Sequence, residues 1–192
     1  NSLYTQLANQ NGDFSYQLGF RFEDTNFFAD LIETNQTTEL KYSNFFPSAF
    51  LTYEFSDKES IQISYSKRLR RPRFWDLNPF YGLGDSRSTY SGNPFLKPEL
   101  TDSYEIGFLK EFKLGNFYVG SYYRNTSDVI ERILEVNNKG YSVYKPINLG
   151  STNAYGIELN GNIEFTNWLN TTGSFNFFQS ETKGEYNDKN FY

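Results

Sequence analysis

The chain has 192 residues, a formal net charge of −5 and a pI near 4.9, a balance that argues against a nucleic-acid binder, which presents a broad basic face. It contains no Cys and no His, so disulfides, thiolate metal sites, the Ser-His-Asp arrangement and the commonest zinc ligand are all excluded. A fifth of the residues are aromatic (20 Phe, 16 Tyr, 2 Trp), yet mean hydropathy is −0.66, and no stretch approaches the ~20 apolar residues of a membrane-spanning helix.

The N-terminal Asn1-Ser2-Leu3-Tyr4 lacks the basic and apolar regions of a secretory signal; for an exported protein the start would then lie upstream. Strict alternation of apolar and polar residues dominates from there. It predicts strands at about 3–9, 14–23, 48–56, 60–69, 101–112, 117–127, 155–165 and 169–180. The clearest are 14–23, where Phe14, Tyr16, Leu18, Phe20 and Phe22 interleave with Ser15, Gln17, Gly19, Arg21 and Glu23, and 155–165, where Tyr155, Ile157, Leu159, Ile163 and Phe165 do the same. Most runs match the roughly 9 to 11 residues of a tilted membrane strand. A polar average with abundant aromatics suits such a strand, because only alternate residues meet lipid.

Short polar turns are expected at Asn9–Asp13, Ser56–Glu59, Lys113–Asn116 and Thr166–Trp168, and long connections at 25–47, 70–98 and 136–150. Short and long connections therefore alternate, as in an outer-membrane barrel with periplasmic turns and extracellular loops. A soluble antiparallel sandwich is the rival fold. If the short turns are periplasmic, both chain ends lie outside the cell, whereas a complete bacterial barrel starts and finishes on the periplasmic side. The expectation is one partial barrel domain over 1–192, with open sheet edges that a protein partner or the rest of the barrel would cover. Lys183–Asn190 reads as loop, and Tyr192 as a loop residue.

The most unusual stretch is Lys67-Arg68-Leu69-Arg70-Arg71-Pro72-Arg73-Phe74-Trp75-Asp76. Arg68, Arg70, Arg71 and Arg73 with Phe74 and Trp75 form a candidate contact for an anionic group, on a ligand or on lipopolysaccharide, because arginine forks match phosphate and carboxylate. The plainer reading is a solvated strand end paired with loop carboxylates. Charged residues on the polar strand faces (Arg21, Glu23, Glu54, Arg68, Glu105, Glu158, Glu164) read as lumen solvation and ion pairing. Lys67 and Lys110 fall on the apolar parity near strand ends, where a long side chain can snorkel. Tyr4, Tyr53, Tyr65, Tyr104, Tyr123, Tyr155, Phe165 and Trp168 fit interfacial aromatic girdles. The acidic groups Asp24/Asp30/Glu33 and Glu181/Glu185/Asp188 lack the regular spacing of a calcium loop, so neither a metal nor a cofactor is expected, and no catalytic constellation is found.

Arg71-Pro72 with Leu77-Asn78-Pro79-Phe80, then Gly92-Asn93-Pro94 with Leu96-Lys97-Pro98-Glu99 and Tyr104-Glu105, resembles the barrel signature of TonB-dependent receptors of Bacteroidota. Ile147-Asn148-Leu149-Gly150 with Tyr155-Gly156-Ile157-Glu158 is similar to a following strand in that family. The resemblance spans roughly 14–180. It implies an all-β antiparallel barrel, usually of 22 strands, closed by a plug domain, and a parent protein that imports a nutrient with energy relayed by TonB. It also implies that Pro72, Asn78, Pro79, Gly92, Asn93, Pro94, Pro98 and Glu99 are structural more than ligand-binding. A non-transporting structural or adhesive barrel is the alternative, and no ligand is identified.

Overall fold

Alternating side chains are satisfied by strands that present one apolar and one polar face, and the computed structural model is built almost wholly of them. It describes residues 1–31, 36–78, 88–136, 140–187 and 189–191. The strands are β1 (Ser2–Asn11), β2 (Phe14–Leu31), β3 (Gln36–Ser56), β4 (Glu59–Arg70), β5 (Ser88–Tyr90), β6 (Glu99–Phe112), β7 (Gly115–Val136), β8 (Ser142–Thr166), β9 (Leu169–Tyr186) and β10 (Lys189–Phe191), with one helical turn, α1 (Phe74–Leu77). All but β5 form one antiparallel meander in the order β1-β2-β3-β4-β6-β7-β8-β9-β10. The three-residue β5 pairs parallel with the outer end of β8.

The register stacks like residues into rows across the sheet. Leu18, Ala49, Tyr65, Tyr104, Tyr123 and Tyr155 are successive partners, as are Leu51, Ile63, Ile106, Ser121, Ile157 and Phe177, and then Tyr53, Ile61, Phe108, Val119, Leu159 and Phe175. The other face carries Gly19, Ser48, Ser66, Ser103 and Arg124 in one row, and Arg68, Thr101, Thr126, Thr152 and Thr182 in the next. The period of two thus holds the same face across eight long strands.

No described element packs on the apolar face: Ile106 is 46%, Ile157 49% and Phe177 71% exposed. A sandwich would bury that face under a second sheet, so the sandwich alternative fails. Buried apolar residues such as Leu96, Val129, Ile147 and Leu149 gather instead at one end, under the β4–β6 connection.

Two-residue turns at Gly12-Asp13, Asp57-Lys58, Lys113-Leu114 and Asn167-Trp168 lie at the opposite end. Gly12 takes φ +61°, the left-handed conformation that a primed hairpin turn requires.

Three expectations are corrected. Much of the expected connections 25–47 and 136–150 is paired strand, with Asp24 opposite Ser43, Thr25 opposite Tyr42 and Leu134 opposite Tyr144. Where both faces of a hairpin are wet, the hydrophobic period fades while the backbone ladder continues, so alternation underestimates strand length. The expected loop at 183–190 is likewise the end of β9 and the start of β10 around Asn187. Tyr4 pairs with Arg21 on the polar face and donates its hydroxyl to Gln6, so it is no part of an apolar-face girdle. Glu33, Pro79, Phe80, Asp188 and Tyr192 lie outside the described residues.

Candidate functional site at the long-connection end

The β4–β6 connection leaves β4 at Arg70 and crosses to β8 before returning to β6. Pro72 precedes a single helical turn in which the Asp76 amide donates to the Arg73 carbonyl at 2.9 Å and the Asp76 carboxylate accepts from the Arg73 amide at 3.3 Å. Asp76 is 7% exposed. Its carboxylate also accepts from the Tyr90 hydroxyl at 2.9 Å and from Arg132 Nη2 of β7 at 3.1 Å. Burial alone would raise its pKa; the bonds from Arg132, Tyr90 and the Arg73 amide outweigh that and hold it below the usual carboxylate value. Burial and the Asp76 carboxylate push the Tyr90 phenol up in turn.

Backbone bonds close the connection on itself. The Asn93 amide donates to the Asp76 carbonyl at 2.7 Å and the Gly92 amide to the Asn78 carbonyl at 2.8 Å. A Cβ on Gly92 would lie 2.2 Å from that Asn78 oxygen, so this close approach admits only glycine. Asn93 Oδ1 accepts from the Phe95 amide at 3.0 Å, across Pro94, and its Nδ2 donates to the Pro146 carbonyl of β8 at 3.2 Å. Leu96 is completely buried. Asn148 clamps the next residue, accepting from the Lys97 amide at 2.9 Å while its Nδ2 donates to the carbonyls of Lys97 at 3.0 Å and Asp128 at 2.7 Å.

Past Pro98, which has no N–H to offer a ladder, Glu99 begins β6. Its buried carboxylate takes both prongs of the Arg70 guanidinium and accepts from the Ile130 amide at 2.7 Å. Arg71 reaches sideways to Glu23 of β2 at 2.7 Å, and Arg21 approaches the other Glu23 oxygen at 3.5 Å.

The structure therefore separates the six candidate contact residues. Arg70 and Arg71 are held by carboxylates. Arg68 is exposed beside Thr101 on the polar face. Arg73 serves α1 through its backbone, and its side chain is exposed. Phe74 and Trp75 pack edge to face at 5.4 Å and stand 71% and 69% exposed. Of the eight motif residues, Asn78, Gly92, Asn93 and Glu99 bond across the connection or to neighbouring strands, Pro72, Pro94 and Pro98 set its backbone, and Pro79 is outside the described residues.

Sequence reading missed Asp76, Tyr90 and Arg132 as a unit. Asp76 carries a local signal, an acid three residues into a helical turn; Arg132, fifty-six positions away, carries none. On the polar face Arg124 pairs with Glu105 at 3.0 Å and lies over the Tyr122 ring at 4.2 Å. On the apolar face Lys67 pairs with Asp102 at 3.3 Å and Lys110 with Glu59 at 2.6 Å, so both lysines have carboxylate partners at their own row and do not rely on snorkelling alone. Among the described residues no cluster of His, Cys, Asp and Glu could hold a metal ion.

No curated protein matches the sequence. Solved structures share the fold. The siderophore receptor PirA from Pseudomonas aeruginosa superposes with a TM-score of 0.72 at 14% identity, over 93% of this chain and 34% of that one. The FrpB iron transporter from Neisseria meningitidis (F3-3 variant) gives 0.66 at 20% identity, over 93% and 25%. The Serratia marcescens hemophore receptor HasR, in complex with its hemophore HasA and heme, gives 0.66 at 17% identity, over 95% and 34%. The chain thus spans about a quarter to a third of the length of these proteins, as an open sheet where they are larger. The model of the outer membrane protein beta-barrel family matches residues 1–192. With its uncovered apolar face and its two-residue turns at one end, the chain belongs to the outer membrane protein beta-barrel family and is a segment of an outer-membrane barrel.

Proposed function

We infer that the chain is barrel wall of a TonB-dependent receptor that imports a scarce nutrient across the outer membrane. The observation that carries this reading is the fold shared over more than nine-tenths of the chain with proteins described as iron transporters and siderophore or hemophore receptors. The sheet's two faces support it: one is apolar enough for lipid, the other is lined with hydroxyls and paired charges, the surface of a wet interior. The short turns are periplasmic under the usual barrel asymmetry, so the β4–β6 connection stands at the extracellular mouth. There Arg73, Phe74 and Trp75 are the candidate ligand contacts, with lipopolysaccharide as the alternative partner of the arginines. The role is one of binding and passage, without catalysis. Arg70 and Arg71 act through the wall, since each is engaged by a carboxylate.

Radiolabelled uptake tests this in cells expressing the full-length protein, offered ferric siderophore, heme and an oligosaccharide separately, with and without TonB. Uptake of one of them that is lost with either protein supports the reading. Unchanged uptake of all, with loss of surface attachment on deletion, favours the adhesive alternative. Joint replacement of Phe74 and Trp75 by Ala is expected to weaken binding of the imported compound by roughly tenfold or more, since exposed aromatics dominate recognition energies.

A further inference from the structure

The geometry points to a binding recess on the polar face of the sheet, at its long-connection end, that takes a solute with a zwitterionic amino-acid head and an apolar body. The site is made by a break in the strand pattern. Between β7 and β8 the register shifts twice, at Ser127/Val129 and at Val129/Ile130, and Asp128 there takes φ +54°. Bulges of this kind re-aim side chains. Below the shift, odd-numbered Tyr123 belongs to the apolar rows; above it, Glu131, Ile133 and Glu135 line one cavity with Thr182 of the polar-face threonine row. Lys145 of β8 lines the same cavity, although Tyr155 of that strand is in the apolar rows.

The cavity measures about 1050 Å3. It lies where β9 parts from β8: Gly150 and Gly184 are the last partners of that pair, and Tyr186 beyond them donates its hydroxyl to Glu135 of β7. Both residues line the recess, so this bond ties its β9 side to its β7 side.

Four charged side chains line it, Glu131, Arg132, Glu135 and Lys145. Two are already engaged, Glu135 by Tyr186 and Arg132 by the Asp76 carboxylate. Glu131 and Lys145 are left, and among the described residues neither side chain has a hydrogen bond or an ion pair. Glu131 is the partner of Ile147 and Lys145 that of Ile133, so acid and base stand diagonally on neighbouring strands, roughly 7–8 Å apart. Between them is a slot with a carboxylate on one side and an ammonium on the other. The ammonium of an α-amino acid donates to Glu131 while its carboxylate accepts from Lys145, two charge-assisted bonds at once. A ligand of single charge satisfies one and strands the other. Ile133, Val143, Leu149 and Phe191 give the body an apolar lining. Occupancy of the recess requires neither TonB nor import, so this binding and the proposed transport can fail separately.

Fluorescence titration of the full-length protein in detergent tests this with three dansyl compounds that share one body. Nε-dansyl-L-lysine carries both charges of the head, dansylcadaverine lacks the carboxylate, and 6-(dansylamino)hexanoate lacks the ammonium. The zwitterion is expected to bind roughly tenfold or more tightly than either analogue, the size of one lost charge-assisted hydrogen bond. Lys145→Met should bring it level with dansylcadaverine, and Glu131→Gln should bring it level with 6-(dansylamino)hexanoate, each variant keeping the heat-modifiable mobility of the wild-type barrel. Equal wild-type affinities for the three compounds, or affinity ratios unchanged in either variant, overturn the proposal. Should one variant fail to fold, the ratio in the other decides.

Discussion

At Gly92 a backbone amide and a carbonyl meet so closely that a methyl group has no room. Gly92→Ala is expected to cost about 1–3 kcal/mol of local stability, read as faster proteolytic cutting of the β4–β6 connection while the barrel core stays folded. Asp76 makes a second prediction, with a definite sign. Its pKa is lowered in the folded state, so its contribution is present above the ordinary carboxylate range and is lost as pH falls through the lowered value. Asp76→Asn should remove that acid-side dependence and leave Arg132 without its carboxylate, at a cost of about 1–3 kcal/mol; protease protection of the connection against pH measures both. A variant with the wild-type pH profile would show that Asp76 does not set it. At this scale the motif glycine, asparagines and prolines were visible in the sequence as departures from alternation. Their partners were not, because Arg132, Pro146 and Asn148 sit on strands whose register with the connection exists only after folding.

At the scale of strands, paired charges on the lipid-facing parity demand specific partners. Lys67→Met leaves the Asp102 carboxylate without its cation and held by the Tyr65 hydroxyl, and is expected to destabilise the barrel by about 1–3 kcal/mol; adding Asp102→Asn should recover most of it. Denaturant melting of the heat-modifiable band measures this, and additive single effects would show the pair is uncoupled. On the other face Gly107 and Gly120 are direct partners, and the Tyr118 ring lies across both, 2.4 and 2.6 Å from the Cβ that each would gain. Tyr118 thus fills the space that two glycines leave on adjacent strands. Tyr118→Ala should therefore destabilise the barrel, and melting equal to wild type would refute that packing role. Strand identity was legible from alternation for all eight long strands. The long outer halves of β2, β3, β7 and β8 were not, because outside lipid no apolar face is required and the ladder alone holds them.

For the molecule as a whole, the face assignment predicts chemistry. The segment has no native cysteine, so single cysteines report cleanly. Phe175→Cys should react with a membrane-confined maleimide and resist a water-soluble one, and its neighbour Asn176→Cys should do the reverse; the opposite pattern would sink the assignment of lipid and lumen faces.

By itself the sequence determined that this is an antiparallel sheet of alternating strands, which side chains share a face along each strand, and where the tight turns fall. Those follow from a period of two, which each strand carries locally. The tertiary structure alone decided which arginines are spent on carboxylates, that Asp76 anchors the β4–β6 connection to β7, and that Tyr118 lies over two glycines on adjacent strands. Each of those depends on register between distant strands, and register belongs to the assembled sheet.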